Sequence, residues 1–288
     1  MGVSGFTPGS SLQGSEVCGI VATLQTMRAH LIQMDIAWED KQANYDRVER
    51  LVARAGPGRG DLILLPEMFD TGFSFNVERT GDGDLATLNY LKQLASDLEV
   101  YVQGSRTVQG TGGGENRATV IGPDGEVLAE YTKIHPFSLG KEHERFPGGS
   151  EVVTFPLRCG EETMMVCPAV CYDLRFPEMF RVGLQRGADV FAIGANWPQA
   201  RAMHWRSLLI ARAIENQAYV LGVNRTGSDP NLSYIGGSMA ISPRGEVLGE
   251  LGPEEMALSV EIDAREVRSW REKFPAWKDA RVGFSPRR

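Results

Sequence analysis

The chain has 288 residues, 42% hydrophobic and 23% charged, with a formal net charge of -7, the proportions of a soluble globular protein with one large α/β domain or two small ones. It has no basic stripe or aromatic–basic alternation, which argues against a nucleic-acid partner, and no segment reaches transmembrane length, which argues against a membrane role. Its four cysteines, at 18, 159, 167 and 171, are too few and too irregular for a disulfide scaffold.

The first 26 residues hold one short apolar stretch, 18–24, without the basic lead of a signal peptide. The sequence therefore predicts a flexible N-terminal extension over 1–26, an ordered domain over 27–275 and a C-terminal tail over 276–288. A first strand is expected over 28–34, then a helix capped by Asp40, or by Asn44 one turn later. Tyr45, Val48, Leu51 and Val52 give that helix its apolar stripe, and the run 57–60 stops it. Residues 61–65 read as a strand buried on both faces, because the apolar run does not alternate. Residues 85–98 suit a second helix and 100–104 another strand. A glycine-rich turn covers 111–115, and residues 116–121 form a hairpin with 125–131 around Pro123-Asp124-Gly125.

The apolar run 164–170 is a strand that ends at Cys171. A helix is expected over 179–186, closed by Gly187, then a strand over 190–195. An amphipathic helix over 205–216 leads to a strand over 219–223. A last hairpin joins 238–241 to 246–249 around Pro243-Arg244-Gly245. The two hairpins, 116–131 and 236–251, resemble each other in sequence, which suggests two similar halves. Helices alternating with apolar strands predict layered α/β architecture, with two sheets and helices outside. No dinucleotide fingerprint, phosphate loop or Gly-x-Ser-x-Gly elbow occurs.

Cys171 is the strongest chemical signal, since a strand that ends on a cysteine presents it at a sheet rim. A cysteine near its ordinary pKa is mostly thiol at neutral pH and needs a base or a cation beside it. Glu67 follows the strand 61–65 and Lys133 follows the strand ending at Tyr131, so both sit at strand ends. Glu67 suits a general base, while Lys133 and the main-chain amide of Tyr172 suit stabilisation of an oxyanion. Glu142 or Glu144 can orient Lys133. His135 or His143 stays open as an alternative base. Neither they nor His204 form a metal spacing, and Cys167-x3-Cys171 lacks the second pair of a zinc site. The plain alternatives are a packed thiol, a turn glutamate and a solvated lysine.

Three patterns, Leu65-Pro66-Glu67-Met68-Phe69, Tyr131-Thr132-Lys133-Ile134-His135 and Cys171-Tyr172-Asp173-Leu174-Arg175-Phe176-Pro177, resemble the carbon–nitrogen hydrolase, or nitrilase, superfamily in order and spacing. Ala195-Asn196-Trp197-Pro198 and 211–216 extend the resemblance. It implies a four-layered αββα sandwich with Glu67 as general base, Lys133 as oxyanion stabiliser and Cys171 as nucleophile. It also implies a second glutamate at Glu142, with Glu144 as the neighbouring alternative, and homodimers or assemblies of dimers with no cofactor and no metal. Within the superfamily the chain is similar to the omega-amidase branch through 69–74, 172–177 and 196–205. That branch hydrolyses the terminal amide of 2-oxoglutaramate or 2-oxosuccinamate to the dicarboxylate and ammonia.

A small dicarboxylic monoamide needs a cation for its far carboxylate. Arg175 offers a planar fork, or else a salt bridge that holds the Cys171 turn. Phe75, Phe137 and Trp197 are expected as pocket walls, or as core packing, while Glu215 and Asn216 are expected to bond beneath the site. The expected setting is a cytoplasmic enzyme with reduced thiols. The rival readings are a deaminated-glutathione or N-carbamoyl amidase, a nitrilase, and a non-catalytic assembly protein.

Overall fold

The computed structural model describes residues 1–2, 26–110 and 112–281. Cys18, most of the expected N-terminal extension and the last seven residues lie outside the described residues. Strand β1 (Thr26–Gln33) leads to α1 (Lys41–Ala55), whose N-cap is Asp40, accepting from Ala43 N, and whose end is Gly56 in the left-handed region. Asn44 is buried inside that helix instead of capping it, and fastens Ala37 and the Asp70 carbonyl. Then come β2 (Leu62–Leu64), the single turn α2 (Val77–Thr80), α3 (Ala86–Leu98), β3 (Tyr101–Gly110), β4 (Gly113–Ile121) and β5 (Val127–Thr132). The second half runs β6 (Phe155–Cys159), β7 (Glu162–Val170), α4 (Pro177–Gln185), β8 (Val190–Ala195), α5 (Ala202–Asn216) and β9 (Tyr219–Asn224). After the short pair β10 (Thr226–Ser228) and β11 (Ser233–Ile235) it continues through β12 (Met239–Ile241), β13 (Val247–Glu250), β14 (Met256–Asp263) and α6 (Ala264–Lys273).

Two six-stranded sheets result, in the orders β14-β1-β2-β3-β4-β5 and β13-β12-β9-β8-β7-β6. Each has three neighbouring parallel strands at its centre, an antiparallel strand on one side and an antiparallel hairpin on the other. The closing hairpins agree in detail. Both shift register at the same place, between Val120 and Ile121 and between Ala240 and Ile241. In both, a left-handed glycine (Gly125, Gly245) donates to the residue three before it. The similarity of the two halves seen in the sequence is therefore a similarity of topology and turn geometry.

Alternation along the strands sorts the core into layers. Leu62, Leu64, Val166, Ala192 and Leu221 fill the space between the sheets. Ile63, Leu65 and Val102 face α1 and α3, while Cys167, Phe191, Ile193 and Val220 face α4 and α5. This is an αββα sandwich. The predicted elements were found, with β3 longer than expected, whereas the glycine-rich turn expected over 111–115 is not a turn throughout, because Gly113, Gly114 and Glu115 already belong to β4 and pair with Gly110, Gln109 and Val108. The sequence reading missed β6, β14 and α6. Strand β14 closes the first sheet from the far end of the chain, so its partner is remote in sequence, and α6 buries little besides Ala264 and Val267. Among the described residues no helix is long and apolar enough to cross a membrane.

The sheets approach closely where β8 passes the end of β2. A Cβ on Gly194 would lie 2.8 Å from the Leu65 carbonyl oxygen and 3.2 Å from Glu67 N. Only glycine allows that approach without displacing one strand. Gln103 Nε2 also crosses between the sheets to the Ala192 carbonyl at 3.0 Å.

Candidate active site

The carboxyl ends of the parallel strands converge at this junction, where open α/β sheets place ligands. Glu67 leaves β2 in the first sheet and Cys171 leaves β7 in the second. Asn196 leaves β8 by the same strand-end rule, and Lys133 follows β5. The residues after Glu67 and Val170 both have left-handed backbones, φ 44° at Met68 and 46° at Cys171. Neither is a glycine, so each turn is strained and must be held by its surroundings. Met68 N donates to Ser105 Oγ at 2.8 Å.

Asp173 holds the Cys171 turn. Its carboxylate accepts from Val170 N at 2.9 Å, Tyr131 Oη at 2.7 Å and His135 N at 3.0 Å, and pairs with His135 Nδ1 at 2.8 Å. The His135 ring stacks on Phe176 with centroids 3.8 Å apart. His135 is therefore committed to the turn, and His143 is exposed, which leaves no histidine in the cysteine cluster.

Lys133 stands at the centre of that cluster, almost fully buried. Its Nζ donates to Glu67 Oε1 at 2.8 Å and to Glu142 Oε1 and Oε2 at 3.0 and 2.8 Å. Asn116 Nδ2 bridges the same carboxylates, at 2.7 Å from Glu67 Oε1 and 3.3 Å from Glu142 Oε1. Ser105 Oγ, 3.1 Å from Asn116 Oδ1, fixes that amide. Glu67 Oε2 accepts from Asn196 N at 3.0 Å. Of the two candidates for the second glutamate, Glu142 is buried in the cluster and Glu144 is exposed. Glu142 Oε2 also accepts from Phe137 N at 2.6 Å, so it fastens a cleft wall as well as the lysine.

The electrostatics follow from one cation shared by two buried carboxylates. Burial opposes the charge on Lys133, but Glu142 and Glu67 outweigh it and hold the ammonium protonated. Burial pushes Glu142 up, Lys133 opposes this and the charge of Glu67 adds to it. Burial pushes Cys171 well above the ordinary thiol value. The Glu67 charge adds to this, Lys133 opposes it, and a hydrogen bond with Glu67 raises it further. The resting site therefore holds a thiol beside a carboxylate that can take its proton. Cys167 faces α4 and α5, with its thiol pushed up to about 12 by burial. Cys167 and Cys171 are both thiols and form no disulfide with each other.

Cys171 and Lys133 open into a narrow cleft with Phe73, Phe137, Tyr172, Trp197, Leu232 and Arg175 on its walls. Phe137, Trp197 and Arg175 thus lie where they were expected. Phe75 does not line the cleft. It packs edge-on against Phe73 and beside Phe146, and Phe73 takes the wall position. Arg175 has no carboxylate partner among the described residues, so the expected salt bridge to the turn is not its role. Its guanidinium lies over Trp197 at 4.8 Å and Tyr172 at 5.8 Å, with His204 Nδ1 3.3 Å from Nη2. Tyr172 is the second residue of a 3₁₀ turn, Cys171–Arg175, whose early N–H groups the turn itself does not use. Of the two residues expected to bond beneath the site, Glu215 is linked to the Cys171 turn, whereas the Asn216 side chain bonds only within α5 among the described residues. Arg212 joins Glu215 to the Leu174 carbonyl, and Asn216 bonds the Arg212 carbonyl.

Sequence reasoning missed Asn116, Asn196, Phe73 and Arg201. Asn196 carried a usable signal, its place directly after a buried strand, whereas Asn116 lies within β4 and acquires its role only when the sheets meet. No group of acidic, histidine or cysteine side chains among the described residues is arranged to hold a metal. A roomier groove of about 460 Å³ lies by the β3–β4 turn, but none of the cluster residues lines it.

The profile of the family described as carbon-nitrogen hydrolase matches residues 28–272. The omega-amidase YafV of Escherichia coli is 36% identical over 256 residues, 88% of this chain and 96% of that protein. The 2-oxoglutaramate amidase of Bacillus subtilis is 36% identical over 253 residues, 87% of this chain and 96% of that one. The crystal structure of a CN-hydrolase superfamily protein from Xanthomonas campestris, with an arsenic adduct in its active site, superposes with a TM-score of 0.82. It is 33% identical and covers 90% of this chain and 99% of that one.

Proposed function

Because the chain belongs to the carbon–nitrogen hydrolase family, we propose that it is an omega-amidase that hydrolyses the terminal amide of 2-oxoglutaramate or 2-oxosuccinamate through a Cys171 thioester. The observation that carries this reading is the buried contact of Glu67, Lys133 and Glu142 beside Cys171, in a cleft that also holds the guanidinium of Arg175, which has no carboxylate partner among the described residues. The relatives named as omega-amidase and 2-oxoglutaramate amidase support the substrate.

Glu67 takes the Cys171 proton as sulfur bonds to the amide carbon. The carbonyl oxygen gains the electron pair and is held by Lys133 Nζ and the Tyr172 N–H, donors fixed before the charge develops. The oxyanion collapses, the C–N bond breaks, and Glu67 returns its proton to the leaving nitrogen as ammonia departs. Water then attacks the thioester while Glu67 accepts its proton. A second oxyanion forms and collapses, the C–S bond breaks, and the proton returns to Cys171 sulfur. Glu142 holds Lys133 in place by accepting from it with both oxygens. No metal or organic cofactor enters any step.

Asn196 lines the cleft, and its Oδ1 is buried with no partner among the described residues. Arg175 receives the far carboxylate, and the aromatic walls exclude water. The assembly is a homodimer or a set of dimers. A reducing compartment, the cytoplasm, suits chemistry that depends on a thiol.

Ammonia release over a panel of 2-oxoglutaramate, 2-oxosuccinamate, deaminated glutathione, an N-carbamoyl amide and a small nitrile tests the assignment. The two 2-oxo acid amides should have the highest kcat/KM. Preference for the nitrile or the N-carbamoyl amide contradicts it.

A further inference from the structure

Arg201 shares the cleft with Arg175 and is likewise without a carboxylate partner among the described residues. It ends the 3₁₀ turn Gln199–Arg201 that follows Trp197 and Pro198. Its main chain is fixed twice, with Arg201 N donating to the Pro198 carbonyl at 3.0 Å and Trp197 Nε1 donating to the Arg201 carbonyl at 2.8 Å. Its guanidinium lies over the Phe137 ring at 5.2 Å. Phe137 N is in turn held by Glu142, so the surface that supports Arg201 is continuous with the cluster around Lys133. The cleft is therefore bounded by two guanidinium groups, each resting on aromatic rings of the lining to which Lys133 and Cys171 also belong.

The charge balance of the cleft is one-sided. No aspartate or glutamate is among its lining residues, since Glu67 and Glu142 are buried behind Lys133 and engaged with it. Arg175 and Arg201 offer only N–H donors and fixed positive charge. A ligand end that suits them presents only acceptors and carries negative charge. A 2-oxo acid does so through its carboxylate and the adjacent carbonyl oxygen. The matching amino acid does not, because its ammonium brings three donors and a positive charge to a region without an acidic side chain.

We propose that Arg201, acting with Arg175, is the specificity residue by which this site accepts a 2-oxo acid amide and rejects the corresponding amino acid amide, such as glutamine. This rests on the omega-amidase reading above and adds a second cation to it. Arg175 and Arg201 divide the acceptor end of the substrate between them, and Arg201 reads the position next to the carboxylate, where oxo and ammonium groups differ. Charge-assisted hydrogen bonds of this kind correspond to about 10- to 100-fold in affinity.

The test is steady-state ammonia release by the wild-type protein, Arg201→Gln and Arg201→Lys. The substrates are 2-oxoglutaramate, its analogue lacking the oxo group (4-carbamoylbutanoate), glutamine and the uncharged propionamide, with thermal unfolding to check the fold. Arg201→Gln should lower kcat/KM for 2-oxoglutaramate by about 10- to 100-fold, mainly through KM. The loss should be smaller for 4-carbamoylbutanoate, and the preference for 2-oxoglutaramate over glutamine should narrow at least about tenfold. Arg201→Lys keeps the charge, so it should keep the rejection of glutamine while losing part of the affinity. If the wild type prefers 2-oxoglutaramate but Arg201→Gln leaves its preference over glutamine unchanged, this inference is overturned while the omega-amidase reading stands. The same holds if all four substrates lose activity in equal proportion, which marks a purely structural role. A wild type that hydrolyses propionamide as readily as 2-oxoglutaramate overturns both.

Discussion

The hydroxyl of Tyr131 donates to the carboxylate of Asp173 at 2.7 Å in the buried interior. Tyr131 lies two residues before Lys133 and Asp173 two residues after Cys171, so this bond ties the strand end that carries the cation to the turn that carries the thiol. His135, two residues past Lys133, reaches the same carboxylate. Burial, with the Asp173 charge and hydrogen bond, pushes Tyr131 well above the ordinary phenol value, so it remains a donor.

Asp173→Asn replaces two acceptor oxygens with one acceptor and one donor against a set of N–H and O–H donors. The expected result is a stability loss of about 2–3 kcal/mol and a fall in kcat of about tenfold or more. Tyr131→Phe, which removes one donor, should cost about 1–2 kcal/mol. Denaturant unfolding and initial rates measure both. A kcat unchanged in Asp173→Asn shows that the turn needs no such anchor.

Lys133→Met leaves Glu67 and Glu142 buried without their shared cation. A loss of about 3–5 kcal/mol is expected from the uncompensated charge, with activity reduced by about 10²-fold or more through the missing oxyanion donor. Adding Glu142→Gln to Lys133→Met should recover part of the stability but not the activity, which separates the structural role of the ammonium from its chemical one. Chemical denaturation and ammonia release report the two effects.

The Cys171 thiol is held up by burial and by the Glu67 charge, so the free enzyme carries little thiolate at neutral pH. The rate of Cys171 alkylation by iodoacetamide should keep rising past pH 9, and peptide mass spectrometry identifies the modified residue. A plateau below pH 8 indicates a resting thiolate stabilised by Lys133 and contradicts proton transfer to Glu67 during attack.

Asp70 is fully buried, and its pKa is pushed up to about 6 by burial, against the hydrogen bond from Thr87 and the charge of Lys41. With a folded value above the unfolded one, the protonated form is favoured by folding. Stability from this group is present below the unfolded pKa, near 4, and is lost as pH rises to about 6. Asp70→Asn removes that loss. The difference between variant and wild type should grow from pH 4 to 6 in favour of the variant, to about 2–3 kcal/mol, and level off above. Unfolding curves across that range check it, and a difference that is constant with pH contradicts it.

The strand-end rule made Glu67, Lys133 and Cys171 readable in the sequence, because each lies at or within three residues of the end of a strand. Burial on both faces made β2, β7, β8 and β9 equally legible. Strand β14 was not, since charged and apolar residues share its exposed edge and its partner β1 lies at the opposite end of the chain. Asn116 and Asn196 belong to different sheets, so their meeting at Glu67 depends on the approach that Gly194 permits, which no local pattern encodes. Phe73 and Phe75 follow Gly72 in an irregular stretch where no period decides which ring faces the cleft.

The thioester at Cys171 is the centre of this account, and it can be trapped. Mixing the enzyme with excess 2-oxoglutaramate, quenching in acid during turnover and digesting the protein should yield the Cys171 peptide heavier by one 2-oxoglutaryl group. Cys171→Ala should show neither the adduct nor ammonia release. Ammonia release by Cys171→Ala at a rate comparable to the wild type, or an acyl group found on any other residue, contradicts the account.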